Sequence, residues 1–142
     1  MSPFSKPIGL LGLILAIHFI AIVSGWYAGH LWFDIPMHFS GGFAIGMLAL
    51  AFRDALIDSV VFKNSIPVFW QSVVHLMGIV GVVAIVGIAW EWYEFLFDSW
   101  VTAMSLGLRP AQMGLGDTMA DLFLDLLGAG VAFFVLRKHT SK

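Results

Sequence analysis

Four long apolar stretches separated by polar segments set the pattern of this chain: about Gly9 to Tyr27, Ile35 to Phe52, Val73 to Phe97 and Thr118 to Leu136. Each is close to the roughly 20 residues that a helix needs to cross a bilayer. None alternates as a barrel strand does, so the pattern predicts helices at about 9–27, 35–52, 73–97 and 118–136. Between the second and third, Arg53 to Pro67 holds both signs of charge and Asn64. Val60, Val61, Phe62, Phe69 and Trp70 are expected to rest part of this connection on the membrane surface. With no internal repeat or low-complexity tract, residues 1–142 read as a single transmembrane domain.

Composition turns this pattern into a class. The chain is 60% hydrophobic and only 11% charged, where a soluble domain carries about 25% charged residues. A mean hydropathy of +0.93 agrees. The expectation is an all-α integral membrane four-helix bundle. Four spans use roughly 80 residues, which excludes a large extramembrane domain, and the absence of cysteine excludes a disulfide. Lys6, an apolar run and then Ser24-Gly25 resemble a secretory signal. The run is nearer a full span than a signal core, so it reads as a retained first helix.

Charge then orients the bundle. With four spans, the N-terminus, the middle loop and the C-terminus share one side. That side holds Lys6, Arg53, Lys63, Arg137, Lys138 and Lys142, and the other holds only Arg109. The positive-inside rule places both termini in the cytoplasm. Trp26, Tyr27, Trp32, Trp90, Trp92, Tyr93 and Trp100 fall near the outer interface, as a headgroup belt would. Gly25-xxx-Gly29 and Gly42-xxx-Gly46 have the spacing that lets helix backbones approach in lipid, and Gly78, Gly81, Gly87, Gly128 and Gly130 add to it.

This orientation makes the acidic residues informative. Asp54 and Asp58 belong to the cytoplasmic loop, while Asp34, Glu91, Glu94, Asp98, Asp117, Asp121 and Asp125 all fall in the outer half or at outer ends. Asp34 and His38 are four apart, Glu91, Glu94 and Asp98 are three and four apart, and Asp117, Asp121 and Asp125 form a four-residue ladder. Each spacing places side chains on one helical face. Three helices thus present oxygen-rich faces at one membrane level with one imidazole among them. Protons, a bound cation or exposure to water must relieve the repulsion. Hard oxygen ligands and a histidine suit Mg, Ca, Mn, Fe or Zn.

Plainer roles compete at several positions. Asp34 and Asp117 could cap their helices, Asp98 could be an interfacial charge, and Glu94 could pair with Arg109. Asp121, Asp125 and Glu91 resist these explanations, because a charged carboxylate near the bilayer centre costs about 2.5–3.5 kcal/mol. His18, midway along the first helix, is at a depth where it could meet Asp125.

Known membrane-enzyme signatures are missing. There is no His-Glu-x-x-His motif, no nucleophile triad, no phosphate-binding glycine loop and no nucleic-acid patch. The fourth-helix ladder is similar to the end of the CDP-alcohol phosphotransferase signature but lacks its Asp-Gly and Ala-Arg elements. Arg109-Pro110 matches only a fragment of the lipid phosphatases, without their histidines.

Three motifs do stand in order. Phe33-Asp34-Ile35-Pro36-Met37-His38-Phe39-Ser40-Gly41-Gly42 opens the second helix, Trp90-Glu91-Trp92-Tyr93-Glu94-Phe95 closes the third, and Gly116-Asp117-Thr118-Met119-Ala120-Asp121-Leu122 starts the fourth. This combination, covering roughly Phe33 to Val135, resembles the YjdF-type inner-membrane proteins of bacteria and, more distantly, the VanZ-like proteins. The former are generally longer, so the chain reads as a trimmed version holding mainly the motif-bearing core. The resemblance implies a small multispan protein of the bacterial inner (cytoplasmic) membrane and assigns no reaction. The link of VanZ-like proteins to glycopeptide (teicoplanin) resistance is too distant to carry over. By motif position Asp34, His38, Glu91, Glu94, Asp117 and Asp121 match the family's polar set, with Asp125 a further step of the ladder.

The resulting expectation is an acidic, divalent-metal-binding pocket near the outer membrane face, acting on a lipid or cell-envelope substrate. His38, Glu91 and Asp121 are the expected ligands, with Glu94 or Asp117 as a base for a metal-bound water. Asp34, Asp125, Arg109 and His18 complete the polar set. The alternatives are a small structural or accessory subunit of a larger membrane complex and a proton or cation transport component. The expected partners are the lipid bilayer and either another membrane protein or a second copy of the chain.

Overall fold

The computed structural model describes residues 2–57, 67–106 and 111–136. Its long helices are α1 (Ser5–Val23), α3 (Asp34–Ile57), α4 (Val68–Ala103) and α5 (Leu115–Leu136), with a short helix α2 (Trp26–Gly29) and a 3-10 turn (Leu31–Phe33) joining the first two. All four long helices are long and apolar enough to cross a membrane. No strand occurs among the described residues.

Helix ends differ from the sequence expectation, each for a local reason. α1 stops at Val23 instead of continuing to Tyr27. Ser24 still donates to the Ile20 carbonyl, but Gly25 turns left-handed at φ 69° and ends the run, a conformation that glycine adopts without steric cost. The chain then turns back, carrying Tyr27 to α1. α3 opens at Asp34 and keeps Pro36 within its first turn, where the missing N–H has no partner to lose. It continues past Phe52, with Arg53 Nη2 and Asp54 Oδ1 paired at 2.6 Å.

α4 is much longer than its apolar run suggested. Its 36 residues span about 54 Å, against about 30 Å of hydrocarbon, so it tilts or extends beyond the core. Phe69 and Trp70 belong to its first turn and are exposed, not part of a surface-resting loop. Val60, Val61, Phe62 and Asn64 lie outside the described residues.

α3 and α5 form the central pair. α4 packs on α5 and α3, and α1 packs mainly on α3. Gly42 and Gly128 mark the closest approach. A Cβ at Gly42 would stand 2.1 Å from the Asp125 carbonyl oxygen, and one at Gly128 would stand 2.2 Å from that of Phe39. Gly46 faces Ala129 and Ala132, so the Gly42-xxx-Gly46 expectation holds. Gly25, Gly29, Gly78, Gly81 and Gly130 have open space where a side chain would go. At those positions glycine does not bring helices together.

Below this crossing, Leu50, Ile79, Val83, Ala129 and Phe133 make the apolar core. Large side chains such as Ile20, Val23, Ile85, Leu96 and Val135 point outward, which suits hydrocarbon surroundings.

Candidate metal centre

The α1–α3 and α4–α5 connections lie at one end of the bundle, where the last turns of α1 and α4 meet the first turns of α3 and α5. Six polar side chains are buried there. His18, His38, Glu91, Glu94, Asp121 and Asp125 are each no more than 7% exposed. Groups buried this far normally have hydrogen-bond partners, so their contacts are diagnostic.

His38 is the hub. Its Nε2 lies 3.6 Å from Asp34 Oδ1 and 3.8 Å from Asp121 Oδ1, and its Nδ1 lies 3.5 Å from Asp125 Oδ1. These separations are at or beyond the outer limit of a hydrogen bond. The two at Nε2 match pairs of ligands on one ion, each about 2.1 Å from it and so about 3–4 Å apart, while Asp125 faces the other ring nitrogen. Two sets offer ligand atoms all within 4.8 Å of one another: Asp34, His38 and Asp121, and His38, Glu91 and Glu94. The expected triad of His38, Glu91 and Asp121 is divided between these sets, with His38 common to both.

Glu91 supplies a second observation. One of its oxygens accepts from Gln112 Nε2 at 3.1 Å, while its Oε1 is buried with no partner. A buried acceptor left unmatched costs about 1–3 kcal/mol. A cation would satisfy it, so the donor set fits a hard divalent ion.

The other acidic residues divide by role. Glu94 accepts from Trp90 Nε1 at 3.0 Å. Asp98, expected as a surface charge, instead accepts the backbone N–H groups of Ala111 and Gln112 at 2.8 and 2.9 Å and ties the end of α4 to the following loop. Asp117 accepts the N–H of Met113 at 2.8 Å and falls outside both ligand sets. Arg109, the residue weighed as a partner for Glu94, lies outside the described residues.

His18 does not meet Asp125. Its Nδ1 pairs with the Tyr27 hydroxyl at 2.8 Å and its Nε2 is buried without a partner, because the turn at Gly25 brings Tyr27 onto α1. Burial, reinforced by Asp34 and Glu94, raises the Tyr27 phenol above its ordinary range. Trp90 packs edge-on against His18, with ring centroids 4.9 Å apart. Tyr27 and Trp90 thus turn inward, away from the belt to which their position assigned them. Trp26, Trp32, Trp92 and Trp100 do face outward.

Gln112 escaped the sequence reading altogether. Its amide joins Glu91 to Thr118 Oγ1 at 3.0 Å, and the only hint was a lone polar residue just ahead of the α5 ladder.

A cavity of about 290 Å³ opens beside the cluster. Asp34, His38, Glu94 and Asp125 stand at its polar end, and Leu11, Ile14, Ile45, Val83 and Val86 line the rest.

No curated protein and no solved structure matches the chain. The sequence model of one family, described as a predicted membrane protein (DUF2238), matches residues 3–142. With nearly the whole chain covered, the protein belongs to the DUF2238 family of predicted membrane proteins.

Proposed function

We propose that the protein binds a divalent cation at His38, with ligands drawn from Asp34, Asp121, Glu91 and Glu94, and uses it on a lipid or cell-envelope substrate. The observation that carries this reading is the buried, unpartnered Glu91 Oε1 beside a histidine spaced 3.5–3.8 Å from three carboxylates. A bound cation would polarise a substrate oxygen or lower the pKa of a water. Glu94 lines the cavity and is better placed than Asp117, which is tied to its loop, to take up a proton.

Transport fits less well. Beyond Asp125 the buried polar set stops, and residues 126–136 of α5, 39–52 of α3 and 76–90 of α4 contain no ionisable side chain. This is a one-ended pocket. The YjdF-type likeness, the bacterial inner membrane and cytoplasmic termini belong to the same proposal, supported by the three motifs and by the basic residues at one end of the chain's layout.

Purified wild-type protein, supplemented with divalent cations and freed of excess, is expected to hold about one ion per chain by elemental analysis. Glu91→Gln and Asp121→Asn should each lower metal affinity about tenfold or more, since loss of even a hydrogen-bond partner of a ligand costs about 10–100-fold, while Asp58→Asn should leave it unchanged. Equal, background metal in all four proteins would remove the metal reading.

Orientation has a separate test. Alkaline phosphatase fused between residues 111 and 115 should be active, and the same reporter fused at Lys142 should be silent. The reverse pattern would put the cluster on the cytoplasmic side.

A further inference from the structure

The cavity has a wall that the cation site does not use. α1 and α4 meet where Trp90 packs on His18, and the space between them, floored by α3, runs from Asp34 to Ile45. Those 12 residues of α3 rise about 16 Å, from the polar cluster towards the apolar core. Its volume of about 290 Å³ is near the lower end for ligand pockets, about 300 Å³. That is room for one chain and a small head.

His18 marks what the head must offer. It lines the cavity, is 4% exposed, and its Nε2 has no partner. His18 Nδ1 pairs with the Tyr27 hydroxyl, which donates or accepts according to the imidazole tautomer. Nε2 of the neutral ring is accordingly an N–H donor or a bare acceptor. The wall therefore presents one unsatisfied polar atom, which calls for a head that can both accept and donate, as a hydroxyl does.

Charge narrows the head further. No lysine or arginine lines the cavity, and Asp34, Glu94 and Asp125 do, so an anionic head meets only repulsion. A dication at His38 would offset two of the five carboxylate charges of Asp34, Glu91, Glu94, Asp121 and Asp125 and leave the pocket acidic, while a quaternary ammonium head can neither donate to His18 Nε2 nor accept from it.

We propose that the α1–α4 cleft binds a single-chain membrane lipid with an uncharged, hydroxyl-bearing head that hydrogen-bonds to His18 Nε2 and a tail that lies along Leu11, Ile14 and Val83. The head's access to a bound cation rests on the reading above; the cleft, its acidic lining and His18 Nε2 do not.

The test uses the full chain in nanodiscs, loaded with divalent cation, and three photoactivatable probes sharing one tail: hexadecanol, hexadecyl phosphate and hexadecyltrimethylammonium. Hexadecanol is expected to label α1 and α4 peptides about tenfold more than either charged probe, the effect of one satisfied buried hydrogen bond. His18→Phe should erase that preference while keeping the ring volume. Ile14→Trp, and Leu15→Trp as a second plug, should suppress labelling by all three probes.

Equal labelling by the three heads, or labelling indifferent to both plugs, would mean bulk lipid contact and overturn the proposal. Preference for the trimethylammonium probe would overturn it as well. Metal content measured on the same samples keeps the two readings apart. Hexadecanol preference without metal would uphold the cleft and sink the cation site, and metal without that preference would do the opposite.

Discussion

Chelator-treated protein carrying His38→Phe should be less stable than wild type by about 3–5 kcal/mol, the cost of removing one partner from a buried charge cluster. For a chain of this length that corresponds to a melting temperature roughly 6–20 °C lower. His38 is 5% exposed and stands within 3.8 Å of Asp34, Asp121 and Asp125. Among the described residues, the only other ion pair is Arg53 with Asp54, at the far end of α3. Among the described residues, the imidazole is the group within 4 Å of these carboxylates that can carry positive charge. Without it their repulsion acts at low dielectric, where it is strongest.

Asp125→Asn tests the cause. On its own it relieves repulsion and should cost little. Combined with His38→Phe it should restore a substantial part of the lost stability, because it removes one of the stranded charges. A His38→Phe protein that melts like wild type, with no gain from Asp125→Asn, would show that the carboxylates need no counter-charge. Thermal unfolding in detergent, read by circular dichroism with chelator present, makes the comparison.

Much of this site could be read from spacing. The three- and four-residue intervals of Asp34–His38, Glu91–Glu94 and Asp121–Asp125 place each pair on one face of a helix, and helices joined by short connections bring those faces to one level. Which acids converge was less visible. Asp98 and Asp117 share the same periodicity as the cluster, but they are captured by the backbone of residues 111–113, whose path has no periodic signature. The same gap hid Gln112. Tyr27 and Trp90 were misplaced because interfacial position alone assigns aromatics to the headgroup layer; the fold turns these two inward through a left-handed glycine at position 25 and a carboxylate acceptor on Glu94. The apolar runs end before Arg53 and Asp98 but the helices do not, so Asp54 and Asp98 are each carried within a helix that continues beyond them. Glycine spacing was a sound guide only where the facing residue is also small, as Gly128 and Ala129 are opposite Gly42 and Gly46.

Among the described residues, that crossing gives the most severe single-methyl effect. At Gly42 an added Cβ would lie 2.1 Å from the Asp125 carbonyl oxygen, and at Gly128 2.2 Å from the Phe39 oxygen and 2.7 Å from the Phe43 nitrogen. These neighbours are backbone atoms and cannot swing aside, so α3 and α5 must separate. Overpacking of this kind costs about 1–3 kcal/mol for a well-packed site, and more where backbone must move. Gly42→Ala and Gly128→Ala should therefore both lower the melting temperature sharply, and leucine at either position should abolish the folded bundle. Gly46 is looser, with its nearest atoms 3.1 Å away, so Gly46→Ala should fall in between. Gly81→Ala and Gly130→Ala, which meet nothing within 4 Å, should be neutral or gain up to about 1 kcal/mol from the better helix former. Separation of the pair also carries Asp121 away from His38 Nε2, now 3.8 Å away, so metal occupancy should fall with stability in the Gly42 and Gly128 variants and hold in the controls. If all five variants melt together, the close contact of α3 and α5 is wrong, and with it the geometry that brings Asp121 and Asp125 to His38.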